Sequence, residues 1–225
     1  MYMQTNIEAA SAIQWPGAYA ASENAGRNFA PHDPVFFEGD DAEHFFEVLE
    51  GVVVACKVFL DGRRQVISFG FPGDLIGFGH GETYRFDCET LGHARLRAIP
   101  RNSLLSAIRQ RPELGEKLLD AASTEVSNMR DHSILLGRKT ATERVASFLL
   151  NLAERSGAIC NGAIVPLPMS RADMGDFLGL TIETVSRNMT KLRKHEVISL
   201  NTRGGFTILD IGELRFLAED EGCLH

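Results

Sequence analysis

The sequence predicts an α+β chain: a glycine-punctuated β-barrel or sandwich, then one long helix, then a winged helix-turn-helix. Three observations predict it. Between Phe29 and Pro100, Gly39, Gly51, Gly62 and Gly73 recur every 11–12 residues with short apolar stretches between them, the rhythm of strands and turns in an all-β unit. After Pro112, apolar and small residues fall into a 3-4-3-4-3 spacing, the period of a helix that carries a seam. Near the C-terminus two capped helical segments meet at Gly179-Leu180, which is the pattern of two short helices joined by a tight turn.

The first 25 residues are rich in Ala, Ser and Asn with weak periodicity and read as a loose arm. Residues 26–110 form the β unit. Within it "FFEVLEGVVVACKVFL" is β-branched and aromatic, Asp61-Gly62 is a hairpin signal before "RRQVISFGF", and "FPGD" at 71–74 is a second turn. Residues 111–137 form the long helix, with Leu119, Ala122, Val126, Met129, Ser133 and Leu136 as its seam. Packing on the chain's own barrel would satisfy that spacing. A partner helix fits the length better, because about 25 residues at 1.5 Å each give roughly 38 Å, long for a helix that covers one barrel. Gly137 offers a break.

Residues 138–225 form the C-terminal unit. Thr140-x-x-Glu143 has capping-box spacing and opens a helix with Val145, Phe148, Leu149 and Leu152 as its apolar stripe, ended by Gly157. "AIVPLP" reads as a short extended stretch. Ser170-x-x-Asp173 caps the next helix, which runs to Leu178, and Gly179 supplies the bend that a side chain resists. The second helix spans 181–194. Two short strands around Arg203-Gly204-Gly205 then make a hairpin, or wing.

Bulk composition narrows the function. The 225 residues are 44% hydrophobic and 24% charged, ordinary for a globular protein that buries a core unaided. Cys56, Cys88, Cys160 and Cys223 are scattered, with no C-x-x-C pair, which argues against a disulfide framework and a four-cysteine zinc site. No apolar run approaches the roughly 18 residues of a membrane span, and "MYMQTNIEAASAIQW" lacks the regions of a signal peptide. The expectation is a cytoplasmic protein with no membrane partner. It is not an enzyme: there is no Gly-rich phosphate loop, nucleophile elbow or H-E-x-x-H.

The net charge of −7 hides a gradient. Residues 138–225 hold 11 Lys+Arg and 11 Asp+Glu, so the excess acid lies in residues 1–137, with 12 and 19. Arg187, Lys191, Arg193, Lys194 and Arg203 face Glu196 alone within 186–203. Such a cluster is a solvated face or the electrostatic footprint of nucleic acid. At 100° per residue, Val185, Met189 and Leu192 share the buried stripe of the second helix, with Glu183 and Arg187 almost opposite and Ser186, Thr190 and Lys191 flanking them. A carboxylate, a guanidinium fork and hydroxyls suit base edges: Arg pairs with guanine O6/N7 and Glu accepts from cytosine N4. The same Glu183–Arg187 spacing makes a surface ion pair, and such a pair would also orient Arg187 before DNA arrives.

"MSRADMGDFLGLTIETVSRNMTKLRKHEVI" resembles the winged helix-turn-helix of the Crp/Fnr transcription regulators, in their FixK-like branch. The likeness continues through "LGRKTATERVASFL", "DGRRQVISF" and "PGDLIGF", about residues 25–210. It implies a homodimer of subunits with an N-terminal double-stranded β-roll, a cyclic-nucleotide-binding-like jelly roll, followed by the dimerisation helix and DNA-binding domain. It implies double-stranded DNA with a TTGA–spacer–TCAA palindrome, activation through RNA polymerase, and a low-oxygen or nitrogen-fixation circuit. Glu183 and Arg187 would read the half-site G·C pair and Ser186 an outer T·A pair. Ile182 stands where the cAMP-responsive branch carries arginine. Phosphate contacts carry over to Ser170, Arg171, Thr181, Thr184, Arg203 and Gly204. Lys191 and Arg193 join them on charge and face alone.

The β-roll departs from better-known relatives. In "GHGETYRFDCETLG", Gly81-Glu82 is present but Arg85 precedes Phe86, where the cAMP-binding branch holds the nucleotide phosphate with Arg-Ser or Arg-Thr. No cysteine precedes Cys56, leaving no N-terminal iron–sulfur ligand set. The expectation is therefore no cofactor and no metal, with Cys88, His93 and His80 read as core or surface residues rather than ligands. Cys160, in an expected exposed loop, is the one candidate redox site. The rival reading is a regulator gated by a small molecule or haem in the β-roll and inactive without it.

Overall fold

The computed structural model describes residues 26–79, 81–201 and 204–218. The expected arm 1–25, His80, Arg203 and Cys223 lie outside them. The described residues divide into two compact units, 26–131 and 132–218. The division falls within the long helix.

In the first unit, β1 (Arg27–Phe29), β2 (Pro34–Phe36), β3 (His44–Glu50), β4 (Val53–Val58), β5 (Arg64–Gly70), β6 (Leu75–Ile76), β7 (Asp87–Thr90) and β8 (Ala94–Pro100) form two antiparallel sheets. Their orders are β1-β8-β3-β6 and β2-β7-β4-β5, so this is the expected double-sheet β-roll. Phe29, Phe36, Val48, Val53, Tyr84, Cys88 and Leu96 meet in its core. Burying one such side chain contributes about 2 kcal/mol. The apolar stretch 45–60 is split into two strands of different sheets at Gly51. There φ is +81°, and an added Cβ would lie 2.5 Å from His93 O and 2.7 Å from Ala94 Cα, so only glycine lets the chain cross between sheets. The Asp61-Gly62 hairpin joins β4 to β5 as expected, with Asp61 Oδ1 accepting from the Arg63 amide at 3.1 Å.

Within the expected β unit, a helix α1 (Arg101–Gln110) follows β8 directly. It is short and its fully buried Leu104 joins Leu75 and Ile99. The long helix α2 is Glu113–Arg138. Its Leu118 and Ala121 pack against that second cluster, together with Phe45, Phe78 and Ile108. Gly137 does not break α2: the helix passes through it, and the stop comes at Thr140, whose extended backbone begins the next cap.

The second unit contains the end of α2, then α3 (Ala141–Arg155), β9 (Ile164–Pro166), α4 (Arg171–Leu178), α5 (Ile182–Lys194), β10 (Ile198–Asn201), β11 (Gly205–Ile208) and α6 (Ile211–Ala218). The three strands pair antiparallel in the order β10-β11-β9. Phe206 and Ile208 are buried while Gly205 and Thr207 are half-buried, the period-2 pattern of a one-faced strand. Thr140 caps α3 with the expected capping box. Beyond the expected wing, a helix α6 follows. α6 packs on α3, and Lys139 Nζ (2.6 Å) and Ser147 Oγ (3.1 Å) donate to its last carbonyl, Ala218 O.

Candidate nucleic-acid interface

Local chemistry sets the helix pair α4–α5. Ser170 Oγ accepts from the Asp173 amide at 3.1 Å, and Asp173 Oδ2 accepts from the Ser170 amide at 3.0 Å. This closes a capping box that satisfies two orphan donors. Gly179 ends α4 in the left-handed region, at φ 63° and ψ 38°, which a side chain disfavours. Thr181 then caps α5 by accepting from the Thr184 amide at 3.2 Å.

Val185, Met189 and Leu192 are at most 1% exposed, so the helix presents the stripe its periodicity predicts. That leaves Ile182, Glu183, Ser186, Arg187, Lys191 and Arg193 exposed, with Thr184 and Thr190 half-buried. Ser186, Arg187, Thr190, Lys191, Lys194 and His195 line one open hollow. His195 was not singled out in the sequence. It is the residue after the helix, and only the running positive charge hints at it.

One expectation is corrected. Arg187 does not close an ion pair on Glu183. Its Nη2 donates to Thr184 Oγ1 at 3.1 Å. Its own backbone amide and then the Thr181 hydroxyl hold the exposed Glu183 carboxyl below the usual carboxylate range, with Arg187 adding a smaller pull. The cause is local: free amides and the positive end of the helix dipole lie beside Glu183, and the Thr184 hydroxyl intercepts the guanidinium one turn back.

The residues expected at phosphates occupy mixed positions. Ser170 and Thr181 are exposed at the two helix N-termini, and Gly204 is exposed at the wing turn with φ 80°. Ser170 Oγ spends its proton on Asp173 Oδ2 at 2.7 Å. Arg171 is half-buried, its Nη1 3.2 Å from Met174 Sδ, and burial lowers its pKa. Arg203 lies outside the described residues.

Two side chains that sequence reasoning missed hold α4 from behind. Arg144 donates Nη1 to Leu178 O at 2.9 Å, Nη2 to Leu136 O at 2.7 Å and Nε to Lys139 O at 2.9 Å. It thereby satisfies carbonyls at the ends of two helices with one charged fork. His132 stacks on Phe177 with centroids 4.1 Å apart, and its Nε2 donates to Phe177 O at 2.7 Å.

Along α2, Leu119, Val126 and Met129 are 68%, 45% and 42% exposed, Ser133 is exposed and Ala122 is half-buried. Leu136 differs from the rest of the expected seam: its Cδ2 lies 3.3 Å from where a Cβ on Gly179 would stand, so it packs at the helix-turn-helix turn. In the β-roll, Phe36 stacks on Tyr84 at 3.8 Å and lies 5.8 Å from Phe46 and 5.7 Å from Phe86. Arg85 is exposed while Phe86 packs on the core. Cys88 is buried, its thiol pKa pushed up by burial, and His93 is exposed on the next bend; the two are not brought to one site. Cys160 is exposed.

Residues 143–217 match the family model of a Crp-like helix-turn-helix domain, and residues 26–111 that of a cyclic nucleotide-binding domain. The nitrogen fixation regulation protein FixK of Bradyrhizobium diazoefficiens is 41% identical over 199 residues, 87% of this chain and 84% of that protein. The chain belongs to the Crp/Fnr family. FixK of Azorhizobium caulinodans is 42% identical over 204 residues, covering 90% of this chain and 82% of the relative. Among solved Crp/Fnr structures, FixK2 from Bradyrhizobium japonicum matches with a TM-score of 0.80 and 34% identity, over 86% of this chain and 96% of that one. The β-roll, long helix and winged helix-turn-helix are thus the Crp/Fnr architecture, and the relatives are transcription regulators rather than enzymes. Among the described residues, no helix is long and apolar enough to cross a membrane.

Proposed function

We propose that this Crp/Fnr member is a cytoplasmic transcription activator that binds a TTGA–spacer–TCAA-like palindrome as a homodimer, working with RNA polymerase in a low-oxygen or nitrogen-fixation circuit. The observation that carries the reading is the outward row Glu183, Ser186 and Arg187 on α5, opposite a stripe that is at most 1% exposed. Arg187 reads the half-site guanine and Glu183 its cytosine, with Ser186 and Ile182 beside them. Ser170, Arg171, Thr181, Thr184, Lys191, Arg193, Arg203 and the Gly204 backbone set the phosphate register. Two copies joined along Leu119, Ala122, Val126, Met129 and Ser133 place their second helices in successive major grooves, about 34 Å apart. The row of exposed apolar side chains on α2 supports this.

The aromatic filling of the β-roll supports activity without a small-molecule effector, since Phe36, Phe46, Tyr84 and Phe86 occupy its interior. The match of residues 26–111 to a cyclic nucleotide-binding domain favours the rival, a ligand-gated regulator. Titrating the purified protein, with no additive, onto a TTGA/TCAA duplex separates them. Nanomolar binding is expected. Binding that begins only when a cyclic nucleotide or haem is added would establish the gated form, and equal affinity for scrambled DNA would overturn sequence reading altogether.

A further inference from the structure

The seam of α2 fixes which side chains border it. Leu119, Val126 and Ser133 form one inner row, and Ala122 and Met129 the other. In a parallel pair of helices, the residue just before a member of the first row lies beside one on the partner helix: the residue just after the next member of the second row. Within α2 this rule couples Leu118 with Ser123, Glu125 with Arg130, and His132 with Gly137. Of these couples, only Glu125 with Arg130 joins opposite charges. Glu125 is half-buried, on the edge from which Leu118 and Ala121 pack against the β-roll, and Arg130 is exposed. The two stand on opposite borders of the seam, the places from which side chains reach across a two-fold axis.

We infer that Glu125 of each protomer pairs with the partner's Arg130 in a parallel homodimer, and that these two symmetry-related ion pairs set the register of the α2 seam. The inference rests on the homodimer proposed above along α2. Apolar packing specifies that register weakly. Leu119, Val126 and Met129 are the large apolar side chains of the seam, while Ala122 and Ser133 are small. A slip of one heptad still sets Leu119 beside the partner's Val126. The charges do not tolerate the slip, because Glu125 would then face the partner's Ser123 or Gly137. A bordering pair of this kind is partly solvated, so its direct contribution to affinity is modest. Its weight lies in choice: a misaligned arrangement loses both pairs at once.

Glu125→Arg makes the chain cationic at both positions, and Arg130→Glu makes it anionic at both. Each variant alone then meets like charge at both couples, whereas a mixture of the two restores opposite charge at both. The wild-type chain, the two single variants and the double exchange Glu125→Arg with Arg130→Glu are compared by sedimentation equilibrium at low salt. An equimolar mixture of the single variants is examined by native mass spectrometry. The dimer dissociation constant is expected to rise on the order of tenfold in each single variant and to return to the wild-type value in the double exchange. Heterodimers should exceed the statistical half of the mixture, and salt at about 1 M should shrink every difference in dissociation constant. A statistical mixture, or single variants that dimerise as the wild type does, overturns the ion pair. Weakening of the double exchange to the level of the single variants overturns it as well, since a disturbed helix and not charge would then be responsible. A wild-type protein that stays monomeric would instead overturn the α2 homodimer itself.

Discussion

Asn188 and Thr142 are joined by one hydrogen bond, Thr142 Oγ1 donating to Asn188 Oδ1 at 2.8 Å, and it ties α5 to α3 behind the exposed face. Asn188 is 9% exposed and sits among the buried stripe. Its Nδ2 donates to Thr184 O at 2.9 Å, so both of its polar atoms are used, as burial demands. Asn188→Ala is expected to cost about 2 kcal/mol, through the lost bonds and the unpaired Thr142 hydroxyl. Thermal unfolding of the full chain measures it. Thr142→Val in the same chain should then cost less than it does alone, because the pair is coupled; strict additivity would mean the bond contributes nothing.

Arg144 is the second anchor. One guanidinium serves carbonyls of Leu136, Lys139 and Leu178. Arg144→Lys keeps the charge but loses the planar fork, so it is expected to recover little of the roughly 2–3 kcal/mol lost in Arg144→Met. Denaturant titration of the two variants beside the wild-type protein decides this. Full recovery by lysine would mean that charge, not the three-way geometry, matters.

Gly179→Ala should cost about 1–2 kcal/mol. The left-handed backbone disfavours any side chain, and the new methyl would lie 3.3 Å from Leu136 Cδ2 and 3.4 Å from Arg144 Nη1. An unchanged Tm would mean that the turn shifts freely and is not a rigid joint.

These three residues mark how far the sequence alone reaches. The caps at Thr140, Ser170 and Thr181 and the bend at Gly179 are interactions within a few residues, so their chemistry is readable from spacing. The buried stripe of α5 follows from helical period for the same reason. Asn188, Arg144 and His132 find partners 46, 34 and 45 residues away, and nothing in local spacing points to such pairings. The Glu183–Arg187 spacing suggests a direct pair, but the Thr184 hydroxyl takes the guanidinium. α1 and α6, of 10 and 8 residues, were missed because short helices owe their stability to tertiary packing more than to their own sequence.

In the β-roll, Glu47 is 5% exposed and faces Arg97 across 3.3 Å. Burial raises its pKa above the ordinary value, with Arg97 opposing the shift. A carboxyl with a raised folded pKa takes up its proton in the folded chain before the unfolded one does. Its contribution to folding is therefore fully present below the unfolded value near 4.5 and is lost as pH rises through the raised folded pKa. Glu47→Gln removes this dependence. Between neutral pH and about 4.5, the Tm of the wild-type protein should fall less steeply than that of Glu47→Gln; a steeper fall would mean that Arg97 outweighs desolvation.

The outward reach of Arg187 is tested most directly by equilibrium titration of the wild-type protein and Arg187→Ala onto two duplexes. One carries the intact TTGA/TCAA palindrome and the other has both half-site G·C pairs replaced. The variant should lose about 1–3 kcal/mol per half-site on the intact palindrome and almost nothing on the replaced one. Equal losses on the two duplexes would contradict the account, because Arg187 would then be holding phosphate and not reading a base.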